Sequence, residues 1–149
     1  MTPEPEAAEV LRDLLGGQRL AVLATHGPEH PYASLVAFST DDALTRLYFV
    51  TPRATRKFHF LTHDSAVSLL VDDRSAEDLD FHHAAAVTAV GAARELKGAE
   101  RDEALRGFTA RHPHLGSFAA SPSSALVEIR VATYYVVRRF QNVTEIHLE

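Results

Sequence analysis

The segment Leu47-Tyr-Phe-Val-Thr-Pro-Arg-Ala-Thr-Arg-Lys-Phe-His-Phe-Leu61 is the part of the sequence from which the fold is best predicted. It opens with aromatic and β-branched residues, which favour a strand. Thr51 followed by Pro52 is typical of a helix N-cap with proline at the first helical position, so a helix is predicted to start there. From Ala54 onward, apolar side chains recur at intervals of four and three residues, giving this helix one face for the core.

Three cations, Arg53, Arg56 and Lys57, lie in the first turns of this predicted helix. The helix dipole already places partial positive charge there, and Arg53 with Lys57 forms a like-charge pair at i, i+4. This arrangement becomes favourable when an anion binds. Free amides at the helix start, the hydroxyls of Thr51 and Thr55, and the three cations would together hold a phosphate group. The alternative is a solvated basic patch.

Composition excludes several classes of function. The chain has 149 residues, 46% of them hydrophobic and 23% charged, as expected of an ordinary globular domain. The formal net charge of −5 gives no electrostatic support for nucleic-acid binding. With no cysteine, disulfides and thiolate chemistry are excluded. The acidic start resembles neither a signal peptide nor a membrane span, so we expect a cytoplasmic protein with no membrane partner.

Turn signals and alternating apolar residues predict six or seven strands, joined mostly by hairpins, with a few short helices. Residues 1–8 are predicted to be a flexible leader, followed by a helix over residues 9–15. Residues 9–149, including this helix, are predicted to form one domain, an antiparallel barrel decorated by helices. A long strand is predicted over residues 84–96, with a bend marked by Val87, Ala89 and Gly91.

Familiar catalytic motifs are absent from the sequence. It contains no G-x-S-x-G, no P-loop and no G-x-G-x-x-G, so neither a serine-hydrolase elbow nor a common nucleotide loop is available. The nine histidines include His59 and His63 at i, i+4, but no H-E-x-x-H or comparable spacing supports a metal centre. We therefore expect surface or capping histidines and no metal, and identify no catalytic side chain.

Three segments carry a resemblance to a known family. The segment 47–61 resembles the strand-to-helix region of the pyridoxamine 5′-phosphate oxidase-like flavoproteins, which have an FMN-binding split barrel. The hairpin Ala21-Val-Leu-Ala-Thr-His-Gly-Pro with Pro31-Tyr-Ala-Ser-Leu-Val-Ala-Phe38 is similar to the opening strands of that superfamily. Ala125-Leu-Val, Tyr134-Tyr-Val-Val and Arg139-Phe-Gln most resemble the haem-utilisation branch and its uncharacterised relatives.

The resemblance implies an antiparallel split β-barrel, mainly β with short helices, that forms a homodimer with FMN at the subunit interface. Thr55, Arg56 and Lys57 match the phosphate grip of the family. Ser34, Leu35 and Val36 match the second-strand segment that runs along the flavin ring of the family, and Val50 and Thr51 match the strand end that faces the ring. Arg139 and Gln141 match residues that complete the site from the partner chain.

Departures from the family pattern bear on the substrate. Ala33 and Phe38 stand where the oxidase proper has an arginine and a lysine, and Gly107 stands where a tyrosine of its substrate-phosphate region would be expected, although Arg111 is retained. We therefore expect an FMN-dependent oxidoreductase acting on an unknown small molecule, not a true pyridoxamine phosphate oxidase. The alternatives are a non-catalytic flavin-binding or redox-sensing module, and a haem-binding or haem-degrading relative. FAD and deazaflavin stay open as ligands.

Overall fold

A computed structural model of the chain describes residues 4–139 and 141–148. Seven antiparallel strands follow the order β3-β2-β1-β4-β5-β6-β7, and β3 also pairs with β6. The first six strands therefore close into a barrel, with β7 added at the edge of β6. The strands are β1 (Leu20–His26), β2 (Pro31–Thr40), β3 (Arg46–Pro52), β4 (Ala66–Asp72), β5 (Ala86–Glu95), β6 (Ser124–Arg138) and β7 (Asn142–His147).

Short helices decorate this barrel, and the predicted antiparallel split-barrel fold is confirmed. None of the helices in residues 4–139 and 141–148 is long and apolar enough to cross a membrane. The helices are α1 (Pro5–Gly17), α2 (Arg56–His63), α3 (Asp80–His83), α4 (Gly98–Arg111), a 3₁₀ turn (Pro113–Leu115) and α5 (Gly116–Ala120).

Two hydrophobic clusters stabilise the fold. The larger fills the barrel, where alternate residues of each strand point inward. Tyr134 is fully buried there, and its hydroxyl donates a hydrogen bond to the carbonyl oxygen of Leu44 at 2.8 Å. The smaller cluster lies outside the barrel, beneath α4 and α5, and contains Val50, Leu96, Phe108, Ala119 and Leu126.

The split in the barrel lies beside β2. Residues 31–37 of this strand pair with β1, but only residues 38–40 pair with β3, which then continues along β6. In an antiparallel ladder, hydrogen-bonding groups alternate between the two edges of a strand. The second edge of residues 31–37 is therefore left without a strand partner in the part of the chain that the structure describes.

The N-terminal helix starts earlier than predicted. It begins at Pro5, and the Glu4 carboxylate caps it by accepting hydrogen bonds from the amides of Glu6 at 2.9 Å and Ala7 at 3.1 Å. Because Ala7 is fully buried, residues 5–8 belong to the packed domain, and the prediction of a leader over them is wrong. Residues 1–3 of that predicted leader lie outside the described residues.

Candidate functional site

The basic helix starts four residues later than predicted. Thr51 and Pro52 end β3, where they pair with Ala125 and Ser124 of β6, so the predicted N-cap at Thr51 is wrong. Thr55 caps α2 instead, and its hydroxyl accepts a hydrogen bond from the amide of Phe58 at 3.3 Å. The ladder with β6 outweighs the local helix signal because it provides hydrogen-bond partners for the backbone N–H and C=O groups of this segment.

Arg53 lies outside the helix and is bound by the fold. Its guanidinium donates to the carbonyl oxygens of Pro122 at 2.6 Å and Ser124 at 3.1 Å, and it forms an ion pair with Glu95. The predicted like-charge pair with Lys57 on one helix face therefore does not exist. These contacts make Arg53 a clamp between β3 and the start of β6 and favour a structural role, while its role as a cofactor-binding residue stays a prediction.

Replacing Arg53 with alanine is expected to destabilise the fold and leave flavin affinity unchanged within about twofold, since this side chain makes structural contacts. Hydrogen bonds to charged groups are worth about 1.5–3 kcal/mol, and partial exposure of Arg53 reduces the expected loss to about 1–2 kcal/mol. Urea unfolding measures the loss, and fluorescence titration with FMN measures the affinity. A variant of normal stability that binds FMN tenfold more weakly would return Arg53 to the cofactor site.

Arg56 and Lys57 are the two cations that remain at the start of α2. Neither side chain forms an ion pair or a hydrogen bond with any described residue. Their backbone amides are also among the helix-start donors that have no intrahelical partner. Thr51 and Thr55, in contrast, share a hydroxyl–hydroxyl hydrogen bond of 2.9 Å. An anion at this helix start would therefore be bound mainly by the two cationic side chains and the first amides.

Arg56 also lines a cavity of about 280 Å³ between α2 and the start of β2. Tyr32 and Phe60 line the same cavity with their rings in an edge-on contact, 5.7 Å between centroids and 77° between planes. His30 is a further lining residue. In this cavity Arg56 therefore lies close to two aromatic side chains and to β2, whose second edge has no strand partner among the described residues.

The predicted second-strand residues lie on that same part of β2. Leu35 points outward and is 64% exposed, an unusual exposure for a leucine in a strand. Val36 points into the barrel and is buried. Ser34 is partly buried, and its hydroxyl oxygen is inaccessible to solvent and without a hydrogen-bond partner among residues 4–139 and 141–148. The unpaired backbone edge of this strand is consistent with a polar planar ligand along it.

Three other predicted site residues lie elsewhere in the chain. The Val50 side chain is 7% exposed and packs in the cluster beneath α4, so it offers a ligand little surface. Arg139 and Gln141 adopt positive φ angles, 49° and 77°, in the β6–β7 turn, and Arg139 pairs with Glu6 at 2.6 Å. Neither turn residue lines the Arg56 cavity. Their contribution to a site of the partner chain stays a prediction.

Two residues of this cavity, His30 and Tyr32, were not predicted from the sequence to be site residues, and Phe60 was only one of several aromatic residues that could flank a planar ring. A turn histidine and aromatic residues on separate elements are weak sequence signals, because such residues are more often core or surface residues. They come together because the barrel places α2 beside the start of β2. Within the described part of the chain, no group of three or more histidine and carboxylate side chains is arranged to hold a metal ion.

Comparison with known proteins gives one family match. The model of the pyridoxamine 5′-phosphate oxidase family matches residues 7–138. No curated protein matches the chain.

Several solved structures are similar to the chain. The heme binding protein from Mycobacterium smegmatis has a TM-score of 0.85 at 21% identity, over 99% of this chain and 59% of its own length. Campylobacter jejuni ChuZ has a TM-score of 0.80 at 12% identity, over 99% of this chain and 61% of its own. An FAD-binding protein from Mesorhizobium loti has a TM-score of 0.67 at 17% identity, over 94% of each chain. At these identities the similarity establishes the fold alone.

Proposed function

Because the chain belongs to the pyridoxamine 5′-phosphate oxidase family, whose model matches residues 7–138, we propose that it is a flavoprotein that binds FMN between two copies of the chain. We propose further that it is a cytoplasmic oxidoreductase acting on a small molecule. A bound flavin supplies the hydride or electron transfer. The protein supplies the phosphate grip, the surface for the ring and the exclusion of water.

The observation that carries this proposal is the cavity shared by Arg56 and the unpaired part of β2. Arg56 and Lys57 have no partner in the described chain and fit the phosphate of FMN. The free backbone edge of β2 fits the polar rim of the flavin ring. The start of α2 would then hold the phosphate and β2 would hold the ring, and the barrel places these two elements side by side.

A second copy of the chain would cover the apolar outer face of β1 and β2. Leu20 and Leu35 are 56% and 64% exposed on this face. Exposed apolar patches mark interaction surfaces in soluble proteins. Covering the face would shield one side of the flavin and bring Arg139 and Gln141 of the second copy toward the site.

The structure also supports a substrate other than pyridoxamine phosphate. Arg111 corresponds to an arginine of the oxidase substrate-phosphate region. Here its guanidinium donates to the carbonyl oxygens of Leu15 at 3.0 Å, Gly16 at 3.2 Å and Gln18, so it caps the end of α1. Desolvation, together with neighbouring Arg19, lowers the pKa of Arg111, in keeping with this enclosed structural position.

The experiment that tests the proposal is an absorbance spectrum of the purified protein after incubation with FMN and gel filtration. Flavin bands that co-elute with a dimer would support the cofactor and the interface together. Chromatography of the ligand released from untreated protein distinguishes FMN from FAD and deazaflavin. A colourless protein that retains no flavin would contradict the proposal. Failure of bound flavin to accept electrons from nicotinamide or deazaflavin donors would favour a non-catalytic module.

Haem binding is a second candidate function, and His30 is the observation that favours it. His30 lines the Arg56 cavity, and its Nδ1 lies 2.9 Å from the carbonyl oxygen of Pro31. Its Nε2 has no partner among the described residues, and imidazole nitrogen is a common ligand of haem iron. An arginine and two aromatic rings beside it would suit a propionate and the porphyrin face.

If haem is the ligand, His30→Ala should abolish the Soret shift that wild-type protein produces with added haem, because the variant lacks the iron ligand. His114→Ala is the matched control, since His114 is exposed and does not line this cavity. The measurement is a spectral titration of all three proteins. A full shift in His30→Ala would exclude this site for haem, and no shift in wild type would exclude haem binding altogether.

A further inference from the structure

A second cavity, of about 480 Å³, lies between α4 and the outer face of β2, β3 and β6. It includes Arg46 and Tyr48 from the start of β3, whereas Thr51 lies near the other end of that strand, beside the proposed phosphate grip. At 3.3 Å per residue, Arg46 and Thr51 are roughly 17 Å apart along the strand. The two cavities share no lining residue. This cavity is therefore separate from the flavin site.

Its floor contains buried polar groups. Ser39 is 4% exposed, and its hydroxyl oxygen has no hydrogen-bond partner among the residues described. A buried hydroxyl without a partner costs free energy, and a polar ligand atom at this depth would remove that cost. Glu128 is 3% exposed and is paired with Arg46 at 3.4 Å and Arg94 at 3.1 Å, so its charge is already balanced.

Carboxylates outnumber cations around this cavity. Asp42 and Glu103 are exposed at its mouth, and neither has an ion-pair or hydrogen-bond partner within residues 4–139 and 141–148. An excess of negative charge in a cleft attracts cations and repels anions. The charged lining residues are the acidic Asp41, Asp42, Glu100, Glu103 and Glu128 and the basic Arg46.

The cavity wall is apolar and aromatic. Leu96 and Ala104 line it together with the half-buried Tyr48. Burial, followed by the charges of Glu128 and Asp41, raises the pKa of Tyr48, so its phenol stays neutral at physiological pH. A neutral aromatic ring attracts organic cations through its face.

From the orphaned hydroxyl of Ser39, the free carboxylates of Asp42 and Glu103 and the ring of Tyr48, we propose that this cavity binds a small aliphatic amine with a second polar group. The ammonium donates hydrogen bonds to the mouth carboxylates, the alkyl chain packs on the wall, and the second polar group reaches Ser39. A metal ion is a poorer fit, because no group of three or more potential ligands in the described chain is arranged to hold one.

The test is calorimetric titration at low salt with 4-amino-1-butanol, which carries both groups, and with butylamine, which lacks the second. Wild-type protein should bind the amino alcohol more tightly, and Ser39→Ala should remove that advantage. Butanoate should not bind. Absence of binding by either amine, or equal affinity of wild-type protein for the two amines, would overturn the proposal.

Two sets of variants locate the site. Gly107 lines the cavity, and a Cβ atom there would meet no atom within 4 Å, so Gly107→Phe should obstruct the cavity and weaken binding about tenfold or more.

Glu103→Gln with Asp42→Asn should weaken binding of the amino alcohol about fivefold. The charge-matched control Glu9→Gln with Asp13→Asn, on exposed positions of α1, should change that affinity less than twofold. Equal weakening by both charge pairs would show unspecific attraction and refute the site.

Discussion

Gly91→Ala is expected to lower the free energy of unfolding by about 3 kcal/mol, near the upper end of the range for overpacking a buried site. A Cβ atom at Gly91 would lie 2.1 Å from the carbonyl oxygen of Arg130 and 3.1 Å from the Cα atom of Val131. Both are backbone atoms of β6, so the contact cannot be relieved by rotating a side chain. The strands β5 and β6 would have to separate at this point of the barrel wall.

The local geometry explains why glycine is required there. The register between β5 and β6 shifts at Val90 and Gly91, which pair with Thr133 and Val131, so Ala132 is an extra residue on β6. Such a bulge bends its strand and brings the two backbones together. Only a residue without a side chain permits this approach.

Thermal unfolding measures the effect, and Gly107→Ala is the matched control. A loss of about 3 kcal/mol corresponds to a fall in melting temperature of roughly 6–12 °C for a chain of this size. A Cβ atom at Gly107 meets no atom within 4 Å, and this residue lies inside α4, so alanine there should raise stability by roughly 0.5–1 kcal/mol. A Gly91→Ala variant as stable as wild type would refute the close approach.

The fold was predictable where local pattern and long-range pairing agree. The opening hairpin follows from two alternating runs around a turn, and β1 and β2 pair along residues 20–26 and 31–37. Of the three residues predicted to mark a bend in β5, Gly91 lies at the register shift, whereas Val87 and Ala89 pair regularly with β6. At the N-terminus, Pro5 at the first helical position was the only local signal, because glutamate is not among the residues that usually cap helices, and the Glu4 cap is seen only in the structure.

The candidate site was predictable only in part, because it depends on contacts between distant segments. Thr51-Pro52 has the local form of a helix start, yet pairing with residues 124–125 of β6 holds it in a strand. Arg53 is paired with Glu95, which is 42 residues away, and no local pattern shows that pairing. Arg56 and Lys57 could be predicted as a phosphate grip because cations near a helix start are a local feature, and their role in binding stays a prediction.

Arg56→Ala with Lys57→Ala is expected to weaken FMN binding by about 3 kcal/mol, roughly a hundredfold in the dissociation constant, because charged hydrogen bonds are worth about 1.5–3 kcal/mol each. The fold should stay intact, since neither side chain contacts another described residue through an ion pair or hydrogen bond. Fluorescence titration measures affinity, and unfolding of the protein without ligand measures stability.

The control for the lost charge is Arg12→Ala with Arg106→Ala. These two arginines are exposed, lie on α1 and α4, and form no ion pair in the described chain. Their removal also changes the net charge by two, so it tests whether FMN is attracted by overall charge alone. The phosphate grip requires the α2 variant to lose about a hundredfold in affinity and the control to lose less than about threefold. Unchanged affinity in a folded α2 variant would exclude this helix start as the phosphate site, and flavin binding would then have to rest on the edge of β2.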